Sequence, residues 1–162
     1  MSRTDGRFAA SQSRTAKETQ AVSWLLDADV LSQPAKRHGD RKVIAWLARE
    51  EAQTYTSAVV IGQLAYWVRC KKGKQREALQ TWLRELIDAL EGRIHGFNVG
   101  VAHVWADQKF LLEQAGQRMP AEDSYIAATA RRHNLTIVTG NDKDFRRPGL
   151  KVFNPFKELV AE

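Results

Sequence analysis

Apolar residues are distributed along this chain in two alternating patterns. Short, nearly continuous apolar runs predict strands within residues 21–29, 54–60, 93–99, 135–141 and 150–155. Apolar residues at helical spacing predict helices within residues 40–52, 61–72, 79–90, 99–116 and 121–134. Because strands alternate with helices, we expect an α/β fold with a parallel sheet covered by helices on both faces.

Glycine and proline mark several of the predicted boundaries. Gly73 interrupts the helical pattern after residue 72, and Gly92 and Gly116 each follow the end of a predicted helix. Pro120 precedes the helix that begins at residue 121, a position where its fixed φ angle is favourable. Since no internal linker is evident, we expect a single domain over residues 21–162.

Residues 1–20 differ in composition from the rest of the chain. They are rich in Ser, Thr, Arg and Gln and carry no apolar core of a secretory signal, so we expect a flexible N-terminal arm or an expression leader. No apolar stretch approaches the roughly 20 residues needed to span a bilayer. The lone Cys70 cannot form an internal disulfide. These features predict a cytoplasmic protein with no membrane segment.

Positive charge is concentrated at one internal site. The chain has a net charge of +6, and residues 69–76 carry five positive charges and no negative one. These basic residues are Arg69, Lys71, Lys72, Lys74 and Arg76. Such a segment is typical of a surface that binds the phosphate backbone of a nucleic acid. A solvated helix end, where cations are favoured, explains the same residues equally well.

Acidic residues follow two of the predicted strands and begin one helix. Asp27 and Asp29 end the first strand, Asp123 opens the helix after Pro120, and residues 141–144 (Asn-Asp-Lys-Asp) follow the strand at 135–141. The carboxyl ends of parallel strands meet at one edge of a sheet, so we expect these side chains to converge. Converging carboxylates repel one another unless a cation neutralises them, and Mg²⁺ and Mn²⁺ prefer oxygen ligands. The pattern therefore favours metal-assisted hydrolysis of a phosphodiester.

Each of these acids also has a purely structural interpretation. Asp123 in the first turn of a helix is favoured by the helix dipole, and Asp27 or Asp29 suits the cap of a helix beginning near Val30. Asp142 and Asp144 are common types of turn residue. Only their joint position at strand ends favours a shared site.

Four segments of the chain resemble the VapC-type PIN domains, in the same order and at similar spacing. They are LLDADVLS (25–32), TSAVVIGQL (56–64), AEDSYIAATARRHNLTIVTGNDKDF (121–145) and VFNPF (152–156). The resemblance covers roughly residues 22–157. It implies an α/β/α sandwich with a central, mainly parallel sheet. It also implies a Mg²⁺- or Mn²⁺-dependent endoribonuclease that is the toxin of a type II toxin–antitoxin pair.

The resemblance assigns roles to individual residues. Asp27 and Asp123 match the two principal metal-binding aspartates of the family. Asn141 stands where many relatives have a further acid, Asp144 matches the acid of the family's Asp-Phe pair, and Thr139 matches the threonine that ends the fourth strand. We therefore expect a catalytic set of Asp27, Gln63, Asp123, Asn141 and Asp144, with the metal on Asp27 and Asp123.

Gln63 departs from the family, which has Glu at this position. Gln keeps a carbonyl oxygen but has no charge, so it cannot act as a general base and holds a divalent cation less strongly. We expect attenuated activity unless Asp29, Glu51 or Asp142 supplies the missing charge. Gln63 is compatible with a substitution introduced to make a toxic protein tolerable, with a natural attenuated enzyme, and with a fold retained for binding alone.

A second departure is Trp67, where relatives often have a small residue. Its ring either narrows the site and offers a face for base stacking, or packs into the core as helical tryptophans more commonly do.

The resemblance also implies partners. They are an RNA substrate, a cognate VapB-type antitoxin that reaches the acidic site with an Arg, and a second copy of the chain in a homodimer. Two functions remain open from the sequence: an active ribonuclease toxin, and a catalytically silent PIN module that acts by binding antitoxin and nucleic acid.

Overall fold

Residues 21–159 are described by a computed structural model of the protein. The arm predicted over residues 1–20 lies outside the described residues, as do residues 160–162. Within residues 21–159, no helix is both long and apolar enough to cross a membrane.

A five-stranded parallel sheet forms the centre of the molecule. Its strands are β1 (Trp24–Leu26), β2 (Thr54–Ser57), β3 (Ile94–His95), β4 (Thr136–Val138) and β5 (Val152–Phe153), in the order β3-β2-β1-β4-β5. All five predicted strands are present, and each is shorter than the apolar run that predicted it. The prediction of an α/β fold with a parallel sheet is confirmed.

Helices connect the strands. They are α1 (Ala28–Leu31), α2 (Arg41–Glu50), α3 (Ala58–Arg69), α4 (Gly73–Ala89), α5 (Val99–Gln114), α6 (Ala121–His133), α7 (Asp142–Phe145) and α8 (Pro155–Glu158). Short 3-10 turns lie at Gln33–Ala35 and Glu51–Gln53. The four-residue helices α7 and α8 are too short to show a helical period and are not predicted, whereas α1 corresponds to the helix near Val30 that the structural interpretation of Asp27 allows.

Two helix boundaries differ from the prediction. Residues 58–60 were assigned to the second strand, but they begin α3, because the Ser57 hydroxyl accepts a hydrogen bond from the Val60 amide (3.2 Å) and caps the helix. The predicted break between two helices is present just before Gly73, but α4 begins at Gly73 itself, six residues before the predicted start at Leu79. Residues 74–77 are exposed and polar, so they give no apolar signal of the first turn of this helix.

The core lies between the sheet and the helices on its faces. Leu25 and Ile137, on neighbouring strands, are fully buried, and so are Ile126 and Ala127 on α6. Trp67 packs its ring edge-to-face against Trp82 of α4 at 6.2 Å, so it joins α3 to α4. Of its two interpretations, the structure favours packing.

The strand order determines where a ligand site can form. After β1 the chain crosses to β2 on one side, whereas β4 pairs with the other side of β1 and leads on to β5. The connections that follow β1 and β4 therefore diverge and leave a crevice at the carboxyl edge of the sheet. In open α/β sheets this switch point is where ligands bind.

Candidate active site

Asp27 lies at the carboxyl end of β1, directly in this crevice. The residue is only 8% exposed. One carboxylate oxygen, Oδ1, accepts a hydrogen bond from the Ala28 amide (2.9 Å) and caps α1; the other, Oδ2, accepts from the Thr139 hydroxyl (2.8 Å). The structural interpretation of Asp27 as a helix cap is thus correct, and the same residue occupies the predicted site. Its two carboxylate oxygens are thus held from α1 and from the residue that follows β4.

The turn after β4 contacts a second acid, Asp29, which lies in α1 just beyond the end of β1. Gly140 donates its amide proton to Oδ2 of Asp29 (2.8 Å). A Cβ atom on Gly140 would lie 2.6 Å from that oxygen, so the approach requires glycine. The other oxygen of Asp29, Oδ1, is buried and has no hydrogen-bond partner among the described residues. Asp29 is therefore part of the acidic edge, with one oxygen fixed and one uncommitted.

The acids at this edge oppose one another's ionisation. Burial raises the pKa of Asp27, although hydrogen bonds from Thr139 and Ala28 act against the shift. Burial, followed by the charge of Asp27, raises the pKa of Asp29 from 3.8 to about 6. Burial, followed by the charges of Asp27 and two further acids, likewise raises the pKa of Asp123 to about 6. Residues from β1, α1 and α6 thus share one region of negative potential.

Asp144 and Asn141 complete this edge. The Asn141 side-chain amide donates to Oδ2 of Asp144 (2.9 Å), and the charge of Asp144 contributes to the raised pKa of Asp123. The Asn141 backbone amide also donates to the Thr139 hydroxyl (3.0 Å). Asn141 therefore orients Asp144 and is itself held by the threonine that contacts Asp27.

We call these four carboxylates, Asp27, Asp29, Asp123 and Asp144, the acidic edge. In the part of the chain that the structure describes, none of them forms an ion pair with Lys, Arg or His. Only the charges of Lys36 and Arg147 partly offset the repulsion, at Asp29 and Asp123 respectively. An acidic region without a paired cation is chemically suited to a hard divalent ion.

The donor set fits Mg²⁺ or Mn²⁺ with few protein ligands. Among residues 21–159, no group of three or more His, Cys, Asp or Glu side chains is arranged to hold a metal ion on its own. Mg²⁺ is commonly bound through one or two carboxylates, with water and substrate phosphate as the other ligands. Asp27 and Asp123 are the pair that would hold such an ion, since the charge of Asp27 acts on Asp123.

Gln63 lies in the second turn of α3, which begins directly after β2 at the same edge of the sheet. Its side chain is half-buried and makes no hydrogen bond to another described residue. Helix α3 packs against α1 and α6, which carry Asp29 and Asp123. Gln63 is thus on the element that the resemblance requires, with an amide where the family has a carboxylate.

Of the three acids considered as substitutes for the missing charge, only Asp29 belongs to the acidic edge. Glu51 lies in the 3-10 turn before β2, at the opposite edge of the sheet. Asp142 is committed to ion pairs with Arg146 (3.1 Å) and Lys157 (3.7 Å). Burial alone would raise the pKa of Asp142, but the Arg146 and Asn154 hydrogen bonds and the Lys157 charge outweigh it and hold that pKa below its ordinary value.

The basic segment, residues 69–76, lies away from the acidic edge. It forms the turn between α3 and α4 and is mostly exposed. From Ala58 to Arg69 the helix advances by roughly 16 Å, at about 1.5 Å per residue. Arg69 donates back to the Ala65 carbonyl (3.1 Å), as expected of a cation at a helix end. RNA binding by this segment stays a prediction.

The structure adds residues to the site that the sequence pattern did not reveal. Gly140 binds Asp29 through its backbone, while Lys36 and Arg147 contribute charge at the acidic edge. None of them belongs to an apolar period or a charge run. The one available signal is that Gly140 and Arg147 flank the acids of residues 141–144.

Comparison with known proteins agrees with this geometry. A family model of the PIN domain matches residues 24–150. Toxin FitB of Neisseria gonorrhoeae is 32% identical over 137 residues, which are 83% of this chain and 99% of that protein. VapC ribonuclease Y4jK of Sinorhizobium fredii is 32% identical over 136 residues, 82% of this chain and 97% of that protein.

Solved structures show the same fold. The structure of FitAcB from Neisseria gonorrhoeae matches with a TM-score of 0.78 at 32% identity, covering 83% of this chain and 99% of the matched chain. VapBC2 from Rickettsia felis, solved with a DNA fragment from its promoter, matches with a TM-score of 0.70 at 26% identity, covering 82% and 98%. This chain therefore belongs to the PIN domain family. Its resemblance to the VapC-type toxins of that family is confirmed.

Proposed function

We propose that the protein is the toxin of a type II toxin–antitoxin pair and a Mg²⁺- or Mn²⁺-dependent endoribonuclease. Relatives over nearly the whole described chain are named as a toxin and as ribonucleases. The observation that carries the proposal is the acidic edge itself. Asp27 raises the pKa of both Asp29 and Asp123 at the switch point, and no ion pair within residues 21–159 relieves this repulsion.

In the proposed site, different residues of the chain have different roles. Asp27 and Asp123 would hold the ion, and Thr139 fixes which oxygen of Asp27 faces β4. When bound, a divalent cation supplies charge neutralisation and Lewis acidity for attack on a phosphodiester. Asp144, held by Asn141, lies close enough to act electrostatically on Asp123 and is the acid available to accept a proton.

Gln63 determines how much activity this chain has. An amide cannot take a proton from water, and it binds a divalent cation less strongly than a carboxylate. The uncommitted oxygen of Asp29 leaves one charge at the same edge, so we propose attenuation and not complete loss. The alternative is a catalytically silent PIN module that acts by binding antitoxin and RNA. The neutral, unpaired side chain of Gln63 is the observation that favours it.

We further propose a cognate VapB-type antitoxin and a homodimer as the assembled form. The structural neighbours FitAB and VapBC2 were solved as complexes bound to DNA, which supports a paired partner for this chain as well. An antitoxin Arg placed against the acidic edge would form the bidentate carboxylate contact that the edge lacks within the described chain. Such a contact would compete directly with a metal ion.

A cleavage assay tests the proposed activity. Labelled single-stranded RNA and DNA would be incubated with Mn²⁺, Mg²⁺ or EDTA and with the parent chain, Gln63→Glu or Asp27→Asn. We expect ion-dependent cleavage of RNA, a gain of about tenfold or more in Gln63→Glu, and loss of cleavage in Asp27→Asn. Preferential cleavage of DNA would instead indicate a DNA-directed nuclease.

Calorimetric titration with Mn²⁺ separates the two candidate functions. If the protein is an active enzyme, we expect Gln63→Glu to bind Mn²⁺ more tightly than the parent chain does. If Gln63→Glu neither cleaves RNA nor binds Mn²⁺, the nuclease proposal is wrong. Retained binding of RNA by such a protein would then support the silent module.

A further inference from the structure

An aromatic pocket lies between α5 and α6, the helix that also carries Asp123. Its volume is about 300 Å³, and Trp105, Tyr125 and Leu112 are among its lining residues. The Trp105 ring lies 5.7 Å from the Tyr125 ring, centroid to centroid, and Tyr125 in turn contacts the partly exposed ring of Phe97 (5.3 Å). Three aromatic rings thus form a continuous series that reaches the protein surface.

Hydrogen bonds hold the wall of this pocket in place. The Trp105 indole N–H donates to the Ser124 hydroxyl (3.0 Å), which fixes the ring against α6. Gln108 is buried and donates to the Ser124 carbonyl (3.0 Å), while its own oxygen accepts from Arg131 (2.8 Å). The polar groups at the base are therefore satisfied, and the Trp105 and Tyr125 rings are the aromatic part of the pocket lining.

Two cations lie at the pocket mouth. The Lys109 ammonium lies 5.1 Å from the centre of the Trp105 ring, and the Arg118 side chain is 81% exposed. Glu113 approaches both cations, at 4.0 Å and 3.8 Å. Exposed pairs at such distances contribute little stability, so a phosphate group can compete for either cation.

The pocket and the acidic edge share the first turn of α6 and the loop before it. Ala121 and Ser124 line the pocket, and Asp123 lies between them in sequence. Arg147 donates to the carbonyls of Gln117 and Arg118 (both 3.1 Å), and its charge also lowers the pKa of Asp123. One arginine therefore connects the loop at the pocket mouth with the acidic edge.

We propose that this pocket receives an unpaired base of the RNA substrate next to the cleavage position. The base stacks against Trp105 and Tyr125, and Lys109 and Arg118 contact the neighbouring phosphates. A volume of about 300 Å³ is at the lower end for small-molecule sites and suits a single planar ring system. A base enters such a pocket only when it is unstacked, so the substrate is single-stranded at this point. This inference rests on the proposed function.

Binding measurements on the full chain test the pocket. EDTA prevents cleavage, and the probes are a short fluorescein-labelled single-stranded RNA of mixed sequence and an abasic oligomer of the same length. We expect Trp105→Leu to weaken binding of the intact RNA by roughly tenfold or more and to leave the abasic oligomer unaffected. Trp105→Phe keeps a ring and should retain most of the affinity.

A second variant changes only exposed residues, so its effect on binding is not confused with a loss of folding. The double variant Lys109→Ala, Arg118→Ala should weaken binding of both oligomers and reduce the dependence of affinity on salt. The matched control, Arg49→Ala with Arg84→Ala, removes the same charge from exposed positions on α2 and α4 and should have a smaller effect.

The outcomes distinguish the pocket from the proposed function. If Trp105→Leu is folded and binds the intact RNA as tightly as the parent, or weakens both oligomers equally, the base pocket is wrong. In that case the proposed function stands, provided that Gln63→Glu still cleaves RNA. If the parent chain binds no RNA at all, the pocket and the nuclease proposal fail together.

Discussion

Asp123 and Asp142 are acids of the same molecule in opposite electrostatic environments. Asp123 lies among other carboxylates, and its pKa is raised to about 6 by burial and then by its acidic neighbours. Asp142 is nearly buried, yet Arg146, Lys157 and Asn154 contact its carboxylate, and its pKa is held low. Through these contacts the carboxylate of Asp142 links α7 to α8. The acidic edge, in contrast, carries negative charge that the described fold does not neutralise.

The difference provides a criterion for functional acids in this fold. A carboxylate paired with cations from its own chain stabilises the native state and has little capacity left for a ligand. Carboxylates that raise one another's pKa are costly to keep together, and such clusters are typical of functional sites. By this criterion Asp142, which the sequence places between Asn141 and Asp144, is not a site residue.

The largest expected difference between the two acids is in catalysis. In a Gln63→Glu background, Asp123→Asn should reduce RNA cleavage by about 100-fold or more, because a principal ligand of the ion is lost. Asp142→Asn should leave the rate within about threefold of its background, since its contacts are structural. Initial rates with Mn²⁺ measure both. Equal losses in the two variants would remove the distinction between them.

A substitution at Gly140 tests how tightly the acidic edge is packed. The new Cβ in Gly140→Ala would lie 2.6 Å from Oδ2 of Asp29 and 3.0 Å from the Phe156 ring, so we expect destabilisation of about 1–3 kcal/mol. Gly62→Ala is the matched control, because a Cβ there meets nothing within 4 Å, and Ala in a helix should stabilise by about 0.4–1 kcal/mol. Urea denaturation measures both. Destabilisation by Gly62→Ala of the same size would contradict the packing explanation.

The Thr139 hydroxyl allows a finer test of how Asp27 is held. Thr139→Val removes the donor to the buried carboxylate and should destabilise the protein by about 1–2 kcal/mol. Thr139→Ser retains the hydroxyl and should be closer to the parent in free energy of unfolding. If Val and Ser have the same effect, the hydrogen bond does not hold Asp27, and only the packing of the threonine methyl group matters.

The smallest expected effect is a change in how stability depends on pH. The folded, cation-free protein binds the proton of Asp123 more tightly than the unfolded chain does, because the folded pKa is about 6 and the ordinary value is 3.8. The free energy of unfolding should therefore decrease as pH rises from about 4 to about 6. Asp142 acts in the opposite sense: its contribution is present above about pH 4 and is lost as pH falls through its lowered pKa.

Unfolding in urea and EDTA over a pH series checks this contrast. Asp123→Asn should reduce the decrease between pH 4 and 6 and leave the part that Asp29 contributes, and Asp142→Asn should reduce the loss of stability at lower pH. If the parent and the Asp123→Asn variant have superimposable profiles of stability against pH, the folded state does not raise the pKa of Asp123.

Much of the fold and the position of the site could be predicted from the sequence. The apolar runs that end in Asp27 and Asn141 each contain a buried strand. Because the carboxyl ends of parallel strands lie at the same edge of a sheet, the convergence of these two ends follows from the fold. The same pattern included Asp123 at the start of the helix after Pro120, and the resemblance then implied that Asp27 and Asp123 bind the metal. Both Asp27 and Asp123 are at the acidic edge of the structure, although their role in binding metal stays a prediction.

Other features depend on tertiary contacts that leave no local signal. Asp142 is set apart from Asp144 only because Lys157 and Asn154, beyond β5, fold back onto it. The pocket at Trp105 exists because Ser124, from the next helix, accepts the indole N–H. None of these three partners can be assigned from spacing along the chain.

The hydrogen bond between Thr139 and Asp27 joins residues that are 112 positions apart. A ribosome must therefore synthesise most of the chain before β4 can pair with β1 and the acidic edge can form. Until then the emerging polypeptide carries only isolated aspartates, with no crevice to hold an ion or a strand of RNA. If the protein is a ribonuclease toxin, this strand order delays its activity until β4 has been translated, and a truncated product ending before β4 would be inactive.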